Sequence, residues 1–204
     1  PDAISTNVKI KVADADAGHP SSDVISSAFT IKGGLTISAP TAGEVLTVSG
    51  AKTITWTKTG TIATVNLYYS TDNFTTQTTI ALGSSGTSFA WTVPNAISSN
   101  VKIKVVDADA GHPASDVTSA AFTIKGGLTL TAPTAGEVLN VNSSKTVTWT
   151  TNGTVGTVNL YYSTNDFTTQ TLITATTIAN AGTYTWTVPD AISLNAKVKV
   201  IDAD

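Results

Sequence analysis

Along residues 34–126, apolar side chains alternate with hydroxylated or charged ones in short runs, among them "TITWT", "TVNLYYS", "SFAWTV", "VKIKVVD" and "AFTIK". A period of two places successive side chains on opposite faces of a β-strand. Clusters of Gly, Pro, Asn and Asp interrupt the runs, as turns require. The pattern predicts strands over 35–38, 45–48, 53–57, 64–70, 78–81, 88–93, 101–107 and 121–125. In each, one parity is apolar: Ile54 and Trp56; Val65, Leu67 and Tyr69; Phe89, Trp91 and Val93; Val101, Ile103 and Val105; Phe122 and Ile124. That parity predicts the core. The other carries Thr55, Asn66, Tyr68, Ala90, Lys102, Lys104 and Thr123, an outer surface of hydroxyls and lysines. Short strands so spaced predict an all-β sandwich, and no segment shows helical periodicity.

The pattern repeats. Residues 1–33 match residues 94–126 at 27 of 33 positions, an offset of 93. "GLTISAPTAGEVLTVSGAKTITWT" from Gly34 returns from Gly127 as "GLTLTAPTAGEVLNVNSSKTVTWT", and a two-residue insertion within "ATTIANAGTYTW" makes the offset 95 thereafter. The chain therefore divides into the C-terminal part of one repeat (1–33), a complete repeat of about 93 residues (34–126), and a repeat lacking its last strand (127–204). Such tandem units add their stabilities and interact with nearest neighbours, so the expectation is a window onto a longer array. The edge left open in 127–204 is expected to be filled, by continuation of the same polypeptide or by the "SSAFTIK" strand at 26–32 of another copy. Only Gly33-Gly34 or Gly126-Gly127 separates one repeat from the next, which leaves a joint little freedom.

Composition narrows the classes of function. Charged residues make up 12% of the chain, about half the usual share, and all eleven basic residues are lysine. With a net charge of −3 and no basic cluster, nucleic acid is not an expected partner. No apolar run is long enough to span a membrane as a helix. There is no cysteine, hence no disulfide framework and no thiolate metal site. Roughly a fifth of the residues are threonine, a composition suited to strands.

The combination of "TITWT", "VNLYYSTDNFTTQTTIA", "FAWTVPNAISSNVKIKVVDADA" and "SDVTSAAFTI", with "YTWTVPDAIS" at 184–193, resembles the immunoglobulin-like or fibronectin III-like tandem repeats of bacterial surface and secreted proteins. It is also similar to the Kre9/Knh1-type Ser/Thr-rich domain of fungal cell-wall proteins. The resemblance implies immunoglobulin-like β-sandwich repeats in an extracellular, cell-surface protein that is not an enzyme. It implies a structural fibre, stalk or surface filament, or alternatively an adhesin or a module binding cell-wall polysaccharide. Further copies of the same repeat or subunit are the expected partners.

Candidate chemistry is sparse. His19 and His112 are the only histidines, each directly before a proline in the same turn, and no hydrolase, zinc-protease or phosphate-binding motif is present. One histidine per loop cannot supply a zinc site. No cofactor is expected, with calcium the one candidate ion. "DADAGHP" supplies Asp14 and Asp16, then Asp107 and Asp109, and "DAD" at the end supplies Asp202 and Asp204; Asp23 and Asp116 return on the following strand. From Asp107, the sixth position is His112 and the twelfth Thr118, so this is no EF-hand loop. Two readings stay open. The aspartates bond to backbone N–H groups and shape the hairpin, or they bind calcium where Asp202 and Asp204 meet Asp72 or the "PNAIS" carbonyls at the Gly126-Gly127 joint. Trp56 and Trp91 share the core parity, which favours packing over a sugar platform. Tyr68 and Tyr161 point outward, and with Lys102 and Lys104 on the neighbouring strand they predict a recurring interaction surface. Sequons at Asn73, Asn142 and Asn152 would matter only in a glycosylating source.

Overall fold

The computed structural model describes residues 2–204. They group into two compact units, one of Pro1–Val45, Ala51–Thr92 and Ser98–Thr123, the other of Leu46–Gly50, Val93–Ile97 and Ile124–Asp204. These boundaries do not follow the sequence repeat, because two loops of residues 34–126 group with the residues that follow.

Residues 2–33 contain two antiparallel ribbons. β1 (Ser5–Val8) pairs with β4 (Phe29–Ile31), and β2 (Lys11–Ala13) with β3 (Asp23–Ile25). Nearly all their side chains are exposed.

The complete repeat contains β5 (Gly34–Ala39), β6 (Val45–Thr47), β7 (Ala51–Thr59), β8 (Val65–Ser70), β9 (Thr78–Ser84), β10 (Ser88–Thr92), β11 (Ser98–Asp107), β12 (Asp116–Thr118) and β13 (Phe122–Lys125). One sheet has the order β10-β7-β5; the other runs β6-β13-β11-β8-β9, with β12 also on β11. β7 pairs antiparallel with β10 and β5, β11 with β12 and β8, and β8 with β9. Ile54, Val65, Leu67, Val101, Ile103, Val105 and Ile124 are 0% exposed, and Trp56, Trp91, Val93 and Phe122 are also buried. All belong to the apolar parity, so one residue of slip in any strand would turn its core side chains to solvent. Tyr69 and Phe89, of the same parity, are only half-buried. The unpredicted strand is β12: three residues are too few to display a period.

The later repeat contains β14 (Gly127–Ala132), β15 (Ser144–Asn152), β16 (Thr157–Ser163), β17 (Thr171–Leu172), β18 (Ile178–Ala179), β19 (Thr183–Thr187) and β20 (Lys197–Asp202). One sheet is β14-β15-β19; in the other, β17, β18 and β20 all pair with β16. Its core is Val147, Trp149, Val155, Val158 and Leu160, with Tyr184, Trp186, Val198 and Val200 partly buried against it. The chain is thus all-β, built of immunoglobulin-like sandwich repeats. Among the described residues, no helix is long and apolar enough to cross a membrane.

Candidate functional site

The turn after β11 is held by its own aspartates. Asp107 continues the inward line of Val105, and its side chain is 1% exposed. Its Oδ1 accepts the Asp109 N–H at 3.0 Å, and its Oδ2 lies 2.8 Å from His112 Nδ1. Asp109 reaches the loop before β8, accepting the Thr64 N–H at 2.8 Å, the Thr64 hydroxyl at 2.7 Å and the Ala63 N–H. The Thr64 hydroxyl, then these N–H groups, hold the Asp109 carboxyl below its usual range. Asp204 repeats the arrangement, accepting from the Thr157 hydroxyl and the Gly156 N–H, which lower its pKa in the same way. Asp202 Oδ1 accepts the Asp204 N–H, and Asp14 Oδ1 the Asp16 N–H. All three copies of "DAD" thus form the turn, and in the two later copies the second aspartate also clamps across to another loop.

The aspartates singled out for calcium are only partly brought together. Among the described residues, Asp107, Asp109 and His112 offer ligand atoms within 4.8 Å of one another, as do Asp14, Asp16 and His19. The histidine stands where Asp116 or Asp23 was expected. Asp116 lies opposite Val106 on β12, and Asp23 forms an ion pair with Lys11 at 2.5 Å. Hard carboxylate oxygens suit calcium, but both Asp109 oxygens already accept protein N–H or O–H groups.

The outer sheet carries a lysine–aromatic cluster that recurs in both repeats. Lys104 pairs across the sheet with Tyr68, and Lys102 with Ser70. The Lys104 ammonium lies 4.3 Å from the centre of the Phe74 ring and donates to Gln77 Oε1 at 3.3 Å. Lys199 sits 5.6 Å from the Tyr161 ring centre and 4.5 Å from that of Phe167, and donates to Gln170 at 2.7 Å. Such contacts are worth about 0.5 to 1 kcal/mol at exposed sites. Phe74 and Phe167 do not stand out in a strand pattern, because both lie in a turn with positive φ, 64° and 62°. Their signal is the conjunction of a bulky aromatic with a polar turn, "TDNFTT" and "TNDFTT". The turn is set by Asp72, whose carboxylate accepts the Ser70 hydroxyl and the Thr76 N–H; these bonds lower its pKa to about 2.

A third constellation lies where one repeat follows another, and each example falls inside a single compact unit. In the first unit, Asp2 accepts the Thr61 N–H at 3.0 Å and the Thr61 hydroxyl. In the second, Asn95 accepts the Thr154 N–H at 3.0 Å and donates to the Thr154 hydroxyl at 2.7 Å. Asp2 and Asn95 are 93 positions apart, as are Thr61 and Thr154. Beside each clamp stands a glycine packed closely against neighbouring aliphatic side chains. A Cβ on Gly33 would lie 2.7 Å from Ile62 and 2.9 Å from Ile4, and one on Gly126 would collide with Val155. The joint at Gly126 is thus made by the Asn95 side chain and Thr154. Of the aspartates expected there, Asp72 bonds within its own turn, Asp202 accepts the Asp204 N–H, and Asp204 accepts from Gly156 and Thr157.

The three tryptophans Trp56, Trp91 and Trp149 are buried at 2, 7 and 4% exposure, which removes them as a sugar platform. Trp186 is half-buried and lines an open cleft with Tyr162, Leu172, Ile173, Tyr184 and Pro189.

No protein family and no curated protein sequence is matched by this chain. Among solved structures, it is similar to the fibronectin(III)-like modules of Clostridium thermocellum CbhA, with 20% identity, 81% of this chain and 83% of that one covered, and a TM-score of 0.30. A two-domain fibronectin type III segment of chicken tenascin shares 15% identity over 83% of this chain and 97% of that one, with a TM-score of 0.46. A Ca2+-stabilized adhesin by which an Antarctic bacterium binds ice shares 20% identity over 88% of this chain and 48% of its own, with a TM-score of 0.30. The fold assignment rests on the strand order and register described above.

Proposed function

We propose that this chain is a non-enzymatic structural spacer, part of a tandem array in an extracellular fibre, stalk or surface filament. The observation that carries this reading is the recurrence of one joint, Asp2 with Thr61 and Asn95 with Thr154, beside glycines closely packed by aliphatic side chains. Two hydrogen bonds to one residue restrict a joint more than a bare two-residue linker would, and repetition of the same joint makes length a function of copy number. Small-angle scattering of the intact chain with Asn95→Ala and Thr154→Ala tests this reading. Both variants should broaden the distribution of dimensions while the melting transitions of the sandwiches persist. Unchanged scattering would remove the joint as the stiffening element.

The alternative, a binding module for cell-wall polysaccharide or another surface ligand, draws on the paired clusters Tyr68–Phe74–Lys104 and Tyr161–Phe167–Lys199. A polysaccharide panel would favour it if binding were lost on combined Phe74→Ala and Phe167→Ala substitution with folding intact.

A further inference from the structure

Of the twelve asparagines in the chain, Asn152 is the one followed by glycine. It ends β15, where it pairs with Gly127, and it is exposed. Thr59 holds the same place in the complete repeat, paired with Gly34, and is exposed too, so the exposure belongs to this position of the fold. Asparagine is a chemically labile residue. Its side-chain amide is protected when it, or the N–H that follows it, is held in a hydrogen bond. Asn66, Asn95, Asn165 and Asn180 are held in this way, by Gly83, Thr154, Thr169 and Val155. Among the described residues, neither the Asn152 side chain nor the Gly153 N–H makes a hydrogen bond.

The glycine is required where it stands. Gly153 has a φ of 86°, and a Cβ there would lie 2.9 Å from Val48 and 3.1 Å from Asn95 Oδ1. With no side chain on Gly153, nothing shields its nitrogen from the Cγ of the residue before. The first joint keeps the glycine, Gly60 at a φ of 84°, but the residue before it is Thr59, whose side chain has no carbonyl carbon to attack. One residue thus separates the chemistry of the two joints.

We propose that Asn152 is a site of spontaneous covalent modification, a deamidation that loosens the second joint. Hydroxide takes the proton of the Gly153 N–H, the nitrogen attacks Asn152 Cγ, the Cγ–Nδ2 bond breaks, and the departing nitrogen takes up a proton and leaves as ammonia. Water then opens the cyclic imide. Opening at Cγ leaves an aspartate, whereas opening at the main-chain carbonyl leaves an isoaspartyl link. The sum is one water consumed and one ammonia released, with no oxidant or reductant. An isoaspartyl link carries the main chain through Cγ, which lengthens it by one C–C bond of about 1.5 Å. Asn152 is fixed by its pairing with Gly127 and Thr154 by Asn95, with Gly153 alone between them. The added length draws Thr154 off Asn95. The conversion stands whether or not the array is a spacer; its effect on stiffness rests on that reading.

Incubation of the intact chain at mildly alkaline pH, followed by peptide mapping with mass spectrometry, tests the proposal. A free peptide of residues 148–158 and the variant Asn152→Thr, which carries the complete repeat's own residue, are the references. Asn152 should gain the mass difference between an amide and an acid in step with the free peptide, while the other eleven asparagines stay intact. The product should accept a methyl group from an isoaspartyl methyltransferase, and the Thr154 amide should lose protection from hydrogen exchange. Asn152→Thr should show neither change after the same incubation. An Asn152 that stays intact while the peptide converts overturns the proposal, as does conversion spread evenly over several asparagines. Conversion that leaves the Thr154 amide as protected as before overturns the loosening of the joint. That outcome is distinct from failure of the spacer reading, which scattering from Asn95→Ala measures with Asn152 unconverted.

Discussion

The segment "TAGEVL" occurs twice, at 41–46 and at 134–139, with two outcomes. Its turn is the same in both: Glu44 accepts the Thr41 N–H and pairs with Lys52, and Glu137 does so with Thr134 and Lys145. Beyond the turn they diverge. Residues Val45–Thr47 form β6 because β13 lies alongside, the Gly43 N–H bonding to Ala121 and the Thr123 N–H to Glu44. Residues 138–140 have no such neighbour and form no strand. A turn closed by side chains within three residues is local, whereas a strand exists only where another strand satisfies it. The tryptophans differ too. Trp149 Nε1 donates to Asn180 at 2.7 Å, and Asn180 belongs to the stretch carrying the insertion; Trp56 Nε1 has no acceptor among the described residues.

The largest effect expected is from the shared core. Trp56→Ala should cost about 3 to 5 kcal/mol, enough to unfold a repeat whose total stability is of the usual 5 to 15 kcal/mol order. Denaturant unfolding measures it, and a loss below about 1 kcal/mol would mean that the register of β7 is wrong. Phe122→Ala should convert the complete repeat toward the later one, at a cost of about 3 kcal/mol. Its signature is rapid amide exchange in Val45–Thr47 with the 41–44 turn retained; if exchange there stays slow, β6 does not depend on β13. Asn180→Ala should destabilise the later repeat by about 1 to 3 kcal/mol, by leaving the buried Trp149 N–H unpaired. A neutral result in calorimetry would show that this indole, like that of Trp56, does without an acceptor.

The smallest effect separates the two repeats by pH. Asp72 in the complete repeat is replaced by Asn165 in the later one, and both accept from the serine before and the threonine after. Only Asp72 titrates. Its pKa falls from 3.8 to about 2 because the Ser70 hydroxyl and Thr76 N–H favour the carboxylate. A depressed acid stabilises above its unfolded value, and the contribution is lost as pH falls through the folded one. The Thr76 amide resonance of the folded chain should therefore shift with a midpoint at about pH 2 while that of Thr169 stays flat. Equal movement of both would mean that the aspartate bonds are not what the titration senses.

Much of the fold was legible in advance. The inward parity of Ile54, Val65, Leu67, Ile103 and Ile124 can be read residue by residue, since burial of one face of a strand follows from a period of two. The offset of 93 located both joints. The site was less legible. That Asp107 turns inward follows from parity, but that His112 rather than Asp116 meets it depends on the path of a loop. Asp109 reaching Thr64, and Phe74 beneath Lys104, join residues 45 and 30 positions apart, with no periodic signal between them.

What the sequence by itself determined are the features whose cause is local: strand faces, turn residues, the repeat and the short Gly-Gly joints. What only the tertiary structure decided is which backbone groups find partners far along the chain. Val45 and Leu46 lie in β6, while the same two residues at 138 and 139 lie in no strand. Likewise each joint's clamp needed two residues 59 positions apart to meet, Asp2 with Thr61 and Asn95 with Thr154. Hydrogen bonds between strands are made only when distant segments arrive together, so the same words can take different structures.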